Sequence, residues 1–117
     1  MEILRVFKGA ALPASNPQIH VQSQTISRSG FFSIRASNQI LVSDQNNQPV
    51  SGVLVTVSYT GPGQGQVSGV TNSSGRVTLQ TSSVSRPRGQ WCFTVTSLSE
   101  SGYTYNPAAN VVTTKCG

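Results

Sequence analysis

The sequence predicts an all-β domain in which about seven strands form two sheets packed as a sandwich. Three observations support this fold class. Apolar and polar residues alternate with a period of two in several short segments, which is typical of strands with one buried face. Turn residues recur every ~8–12 positions, and no segment shows a helical period. At 117 residues, the chain is long enough to bury one hydrophobic core without metal ions.

Residues 1–17 are predicted to be a linker or N-terminal extension, and residues 18–117 to form the sandwich. Residues 10–17 are mostly small and include two prolines, which is typical of a linker. Charges interrupt the first eight residues, so they make a poor signal peptide. The chain is therefore either cytosolic or a piece excised from a longer exported protein. We favour excision, because Met1 precedes what resembles the middle of a longer chain.

The predicted strands follow one another at short intervals. The clearest has Val53, Val55, Val57 and Tyr59 on one face, with leucine, threonine and serine on the other. The seven predicted strands are residues 19–26, 31–42, 53–59, 66–71, 77–81, 91–96 and 110–115.

The alternation also predicts which aromatic side chains enter the core. Trp91, Phe93 and Val95 are in phase on one face of their strand, so all three are expected to be buried. Phe31 and Phe32 are consecutive, and at least one of them is expected to be buried.

Two polar clusters separate predicted strands. Residues 44–49 are rich in Asp, Asn and Gln and end in proline, which is typical of a turn. Residues 72–75 form a second turn, in which Gly75 supplies a positive φ. Val50 and Val53 are expected to begin the core after the first turn.

Cys92 and Cys116 are the only cysteines, and they are predicted to form a disulfide. Cys92 opens the next-to-last strand and Cys116 ends the last one. Strands joined by a hairpin run antiparallel, so these two positions meet. The bridge would close a loop of about 25 residues and stabilise the fold by about 3 kcal/mol. Because Cys92 alternates with Trp91 and Phe93, we expect it at the rim of the sandwich rather than between the sheets.

The charge of the chain favours no nucleic-acid partner. The formal net charge is +5, but the basic residues are scattered and no basic run is interleaved with aromatic residues. Only Arg86 and Arg88 form a local pair. No stretch is apolar enough to span a bilayer, so no membrane insertion is expected. The basic residues are Arg5, Lys8, Arg28, Arg35, Arg76, Arg86, Arg88 and Lys115.

Two motifs resemble those of bacterial immunoglobulin-like domains of the invasin/intimin type. The segments VSDQNNQPVSGV (residues 42–53) and GVTNSSGRV (residues 69–77) are similar to the family patterns V-x-D-x-x-G-x-P-V-x-G and T-x-x-x-G. Asn47 stands where the family usually has a turn glycine, a substitution that asparagine tolerates.

The C-terminal part resembles accessory domains appended to secreted bacterial hydrolases, including proteases. The segments that support this are WCFTVT (residues 91–96) and YTYNPAANV (residues 103–111). The combined resemblance covers most of residues 19–116. It implies an immunoglobulin-like sandwich in an extracellular setting, and it implies no activity.

The residues offer little for catalysis. His20 is the only histidine, and a catalytic triad would need it near Asp44 and a nucleophilic serine, yet no serine lies in a G-x-S-x-G turn. We expect His20 to be an exposed strand residue. Asp44 and Glu100 are the only carboxylates after residue 17, and both fit ordinary turn positions better than a glycosidase pair. The chain is therefore predicted not to be an enzyme.

No metal or cofactor is expected. One histidine and two cysteines in a disulfide cannot supply the ligands of a zinc site. Asp44, Asn46 and Gln48 only weakly resemble a calcium loop, and a turn stabilised by the Asp44 side chain explains them better.

The sequence thus favours a non-catalytic accessory or spacer module of a larger secreted or surface-exposed bacterial protein, with a neighbouring domain of that protein as its partner. The alternative is a module that binds a polysaccharide or a surface protein. Its candidate ligand-binding residues are Tyr103 and Tyr105 in the last connection, together with Arg86 and Arg88. One tyrosine packing over the end of the sandwich would be the simpler explanation of that pair.

Overall fold

The computed structural model describes residues 17–117 as two β-sheets packed face to face. The predicted linker at residues 1–17 therefore lies almost wholly outside the described residues. The described strands are β1 (Gln18–Gly30), β2 (Ser33–Asp44), β3 (Leu54–Thr60), β4 (Gly65–Val70), β5 (Arg76–Gln80), β6 (Val84–Ser85), β7 (Cys92–Ser99), β8 (Thr104–Tyr105) and β9 (Thr114–Cys116), with a 3-10 turn at Pro107–Ala109.

The strand order is that of an immunoglobulin-like sandwich. The first sheet runs β8-β1-β2-β5, with β6 also beside β2, and the second runs β9-β7-β3-β4. Strands β1, β2 and β5 thus occupy the places of strands A, B and E of an immunoglobulin domain, and β9, β7 and β3 those of G, F and C. The predicted all-β sandwich is confirmed.

The described residues hold nine strands rather than the seven predicted, and the last strand differs most. It was expected at residues 110–115, but it spans only Thr114–Cys116. The preceding residues instead bind the edge of β1: the Asn110 side chain accepts the Val21 N–H (2.8 Å), and the Val111 N–H donates to the Val21 carbonyl (3.0 Å). The other additions, β6 and β8, have two residues each, too few to show a period in the sequence.

The core lies between the two sheets and follows the predicted alternation. Trp91, Phe93 and Val95 are buried, as predicted, and so are Val50 and Val53. The remaining apolar core residues are Ile19, Val21, Ala36, Ile40, Val42, Val55, Val57, Tyr59, Val77, Leu79 and Leu98.

One polar link crosses this core. Asn38, which interrupts the apolar face of β2, is fully buried and donates from Nδ2 to Oε1 of Gln24 (2.7 Å). Gln24 in turn donates to the carbonyl oxygen of Thr113 (2.9 Å). Because a buried N–H group is costly unless it is hydrogen-bonded, the bond from Asn38 Nδ2 holds Gln24 in place, and Gln24 fixes the segment before β9 against β1; Asn38 Oδ1 has no partner among residues 17–117.

The disulfide joins Cys92 and Cys116, as predicted. The two residues face each other in the β7–β9 ladder, with their Cα atoms 4.0 Å apart. The neighbouring pair, Trp91 and Gly117, exchanges two backbone hydrogen bonds of 3.0 and 2.8 Å. Cys92 is half-buried and Cys116 is exposed, so the bridge lies at the rim, where alternation places it.

Removing the disulfide is expected to destabilise the domain substantially. The Cys92→Ala/Cys116→Ala variant should lose about 3 kcal/mol of unfolding free energy, because its unfolded chain is no longer cross-linked. The melting temperature should fall by roughly 10–20 °C, measured by circular dichroism. Reductant should lower the melting temperature of the wild type and leave that of the variant unchanged. Equal melting temperatures for the oxidised protein and the variant would contradict this assignment.

Candidate functional site

The sandwich has two ends of different character. The tip end contains the β1–β2 turn, the segment 86–91 and Gly117. The base end contains Pro17, the turn after Asp44 and the β7–β8 connection. The register defines the two ends, because Ile19 pairs with Asp44 at the base and Gly30 pairs with Ile34 at the tip.

The β1–β2 turn projects an aromatic pair into solvent. Phe31 and Phe32 are 85% and 72% exposed, and their rings meet edge to face with centroids 4.7 Å apart. The prediction that at least one of them is buried was wrong. Trp91, just before β7, lies against Arg28, so the turn extends past the end of the second sheet. None of residues 17–117 covers the two phenylalanines there.

Gly30 makes this tight turn possible. Its φ is +118°, and a Cβ at this position would lie 2.0 Å from the carbonyl oxygen of Ser33. A side chain would therefore collide with the backbone, and only glycine fits. Glycine signals the turn in the sequence, but nothing in the sequence signals that the two phenylalanines after it are exposed.

Contacts with the segment 84–91 hold the hairpin in place. The Arg28 guanidinium lies over the Trp91 ring, 4.8 Å from its centroid, and donates a hydrogen bond to the Gly89 carbonyl. The Arg86 N–H donates to the Phe32 carbonyl (3.1 Å), next to the Ser33–Ser85 pair of the β2–β6 ladder. The turn is therefore fixed on both sides.

Four arginines surround this turn: Arg28, Arg35, Arg86 and Arg88, all of them exposed. Arg86 adopts a φ of +47°, a left-handed conformation that costs a non-glycine residue of order 1–3 kcal/mol. Such strain is typical of functional segments. The pattern of an arginine pair was visible in the sequence, but its position beside Phe32 depends on the β2–β6 pairing.

The acidic residues of the described chain lie at the other end. Asp44 Oδ1 accepts the backbone N–H groups of Asn46 (2.8 Å) and Gln48 (2.9 Å), which confirms the predicted side-chain-stabilised turn. Glu100 accepts the N–H of Ser101 (2.7 Å). Each carboxylate thus stabilises its own turn, and the domain is electrically polarised along its length.

His20 is buried, contrary to the expectation of an exposed strand residue. Its side chain is 6% exposed, and Nε2 shares a hydrogen bond of 2.9 Å with the Gln22 amide. The alternation along β1 fails here because the residues 104–111 cover this part of the strand edge. Asp44 lies one ladder position away, but its hydrogen bonds go to its own turn.

The tyrosines and arginines predicted as ligand-binding residues do not form one surface. Tyr105 pairs with Ile19 at the base end, whereas Arg86 contacts the tip. The rise per strand residue puts these positions about 35 Å apart. Tyr103 and Tyr105 are half-buried against the core, and the Tyr105 hydroxyl accepts a hydrogen bond from the Asn110 side chain (2.7 Å).

A shallow groove of about 590 Å³ lies on the first sheet near the base end. It is lined mainly by short polar side chains, with Arg76 at one side and no aromatic residue. Its lining residues are Gln22, Leu41, Ser43, Asn47, Pro49, Ser73, Ser74 and Arg76.

Comparisons of the chain with protein-family models, with curated proteins and with solved structures find no match. Residues 17–117 contain no group of three or more potential metal-ligating side chains. Among the same residues, no helix has the length and apolar character needed to cross a membrane.

The contact between Arg28 and Trp91 should be visible in fluorescence, because Trp91 is the only tryptophan. Arg28→Ala should shift its emission to longer wavelength by admitting water, and should cost about 1 kcal/mol of unfolding free energy. Arg35→Ala is the matched control, since Arg35 contacts Gln80 on the outer face. Equal shifts in the two variants, or none in Arg28→Ala, would contradict the role given to Arg28.

Proposed function

We propose that this domain is a non-catalytic, extracellular spacer module of a larger secreted or surface-exposed bacterial protein. The observation that supports this proposal is the placement of the two ends of the described chain. Pro17 lies at the base end, whereas Gly117 lies at the tip end beside Ile26. The eight residues of β1 between these levels span about 26 Å. A domain with this arrangement separates whatever precedes it from whatever follows it.

The tip end is built to resist tension on the chain. Gly117 is hydrogen-bonded to Trp91, and Cys116 is bonded covalently to Cys92. Tension applied at Gly117 therefore passes within one residue into β7. Strand β7 pairs with β3 at seven ladder positions, so the force is distributed over the second sheet.

The base end is anchored in the same manner. The Pro17 carbonyl accepts the Thr104 N–H (2.9 Å), and β1 begins immediately after it. Strand β1 pairs with β2 at eleven positions, the longest ladder among the described strands. Pulling at residues 17 and 117 in opposite directions would load these ladders along the strands, so that several hydrogen bonds must break together.

An oxidising compartment and a bacterial source are parts of the same proposal. The disulfide supports export, because such bonds persist outside the cytosol. The resemblance of residues 42–53 and 69–77 to invasin/intimin-type domains supports a bacterial, multidomain parent. It gains weight from Asn47, which stands at the family's turn glycine and has a φ of +60°.

Binding of a polysaccharide or surface protein at Tyr103 and Tyr105 is the second candidate. Both rings keep part of their surface exposed at the base end. Retention on insoluble polysaccharides or collagen that is lost in Tyr103→Ala would support it, while retention unaffected by this substitution would count against it.

Single-molecule force spectroscopy tests the spacer role. With handles at residues 17 and 117, the oxidised domain should unfold at a higher force than Cys92→Ala/Cys116→Ala. It should also release about 80 Å less chain, because the residues inside the disulfide loop stay closed. A tension-resisting role is ruled out if the two proteins unfold at the same force.

A further inference from the structure

The tip end combines an apolar protrusion with a basic surround, and neither is used by the spacer role. Phe31 and Phe32 are the two most exposed large apolar residues of the described chain. Exposed apolar patches with a polar rim mark interaction sites. The Phe pair lies at the far end of a projecting hairpin, so its partner must accommodate a convex shape.

The charge of the described residues is concentrated at the same end. Five of their six basic residues lie at the tip end: Arg28, Arg35, Arg86 and Arg88 around the turn, and Lys115, which pairs with Phe93 next to the disulfide. Asp44 and Glu100, the only acidic residues among them, belong to turns of the base end. The rise along β1 separates the two groups by about 30 Å. The tip end is therefore complementary to an anionic partner.

We propose that the tip end docks onto an anionic phospholipid surface, with Phe31 and Phe32 inserted among the headgroups and with Arg86 and Arg88, beside the turn, on the lipid phosphates. A bilayer interface yields around a convex apolar tip, so no preformed pocket is needed. This docking is peripheral and does not require a membrane-spanning segment.

The distance along the hairpin between the Phe pair and the nearest arginines matches the depth to which apolar groups enter a membrane interface. Arg28 precedes Phe31 by three residues, and Arg35 follows Phe32 by three, which corresponds to about 10 Å of strand. Interfacial apolar groups enter about 5–10 Å into the boundary of headgroups and acyl chains. Insertion of the Phe pair to that depth places the backbone of both arginines at the level of the phosphates, although the Arg28 guanidinium itself is turned back onto Trp91 and Gly89.

The geometry favours a bilayer over other anionic partners. The planes of the two Phe rings are 78° apart, so they offer no flat platform on which bases or sugar rings stack in succession. Phenylalanine also lacks the hydroxyl or indole N–H with which Tyr and Trp bind polar ligands. The turn is held rigidly by the bond between Arg86 N–H and the Phe32 carbonyl, so little conformational entropy is lost on docking.

Vesicle co-sedimentation tests the proposal with the whole chain. The protein should bind phosphatidylcholine vesicles that contain phosphatidylglycerol, and not vesicles of phosphatidylcholine alone. Phe31→Ser/Phe32→Ser should weaken binding at least tenfold. Arg86→Gly/Arg88→Gln should weaken it by about fivefold for each arginine. Glycine at residue 86 keeps the left-handed backbone, so this variant removes charge without adding strain.

Two variants provide matched controls at sites away from the tip. Arg76→Gln removes a base-end charge, and Val111→Ser removes an exposed apolar side chain. Both should bind anionic vesicles like the wild type. All variants should keep the wild-type melting temperature to within a few degrees, because the replaced side chains are exposed.

Three outcomes would overturn the proposal: absence of binding to anionic vesicles, binding that is unchanged in Phe31→Ser/Phe32→Ser, or equal losses in the control variants. Retention on a heparin column without vesicle binding would also overturn it, by identifying a soluble polyanion as the partner. None of these outcomes bears on the spacer role, which force spectroscopy tests separately.

Discussion

The backbone pairing of Trp91 with Gly117, next to the disulfide, determines the structure of the tip end. Trp91 is fully buried, exchanges two backbone hydrogen bonds with Gly117, and precedes Cys92, whose disulfide ties down β9. Its ring supports Arg28 on the opposite sheet. The position of the hairpin tip and the point where the chain leaves the sandwich both depend on this residue.

Strand β9 could not hold this position through its own pairing. It has three residues, all of them exposed, and its ladder with β7 contains three pairs. Hydrogen bonds contribute a net ~0.5–1.5 kcal/mol each, so three pairs alone would hold such a strand only weakly. The disulfide makes the short ladder stable, and the Gln24–Thr113 hydrogen bond fixes the segment that leads into it.

The sequence was sufficient where local pattern decides the outcome. Alternation identified the faces of Val53–Tyr59 and Trp91–Val95, and antiparallel register predicted the pairing of Cys92 with Cys116. The turns at Asp44 and Gly75 could be predicted because the side chain or φ that stabilises each of them belongs to the turn itself.

The burial predictions for His20, Phe31 and Phe32 were wrong because the exposure of each side chain depends on whether a distant segment of the chain covers it. His20 is buried because residues 104–111 lie along β1, and this contact links positions about ninety apart in the chain. Phe31 and Phe32 are exposed because the second sheet ends before the turn. Burial of this kind is set by tertiary structure, so neither composition nor period could reveal it.

The candidate sites also combine features that the local sequence reveals with features that only the tertiary structure reveals. Arg86 and Arg88 were recognisable as a basic pair, but only the fold brings them to the Phe pair at the tip and separates them from Tyr103 and Tyr105. The polarised arrangement, with arginines at one end and carboxylates at the other, follows from strand order rather than from overall charge. The two proposed roles meet at the tip end, where Gly117 lies beside Ile26, four residues of β1 before Gly30 and the turn that carries Phe31 and Phe32.

Hydrogen exchange at the amides of Trp91 and Gly117 tests the central claim most directly, because both lie in the pair next to the disulfide. In the oxidised protein, these amides should exchange far more slowly than the exposed loop amides of Gly89 and Gly102. In Cys92→Ala/Cys116→Ala, the amides of Trp91 and Gly117 should exchange faster because this pair opens locally. The exchange rates of the β1–β2 ladder amides should change only by the amount that the lower global stability of the variant accounts for. Exchange of Trp91 and Gly117 at loop rates in the oxidised protein would contradict the account.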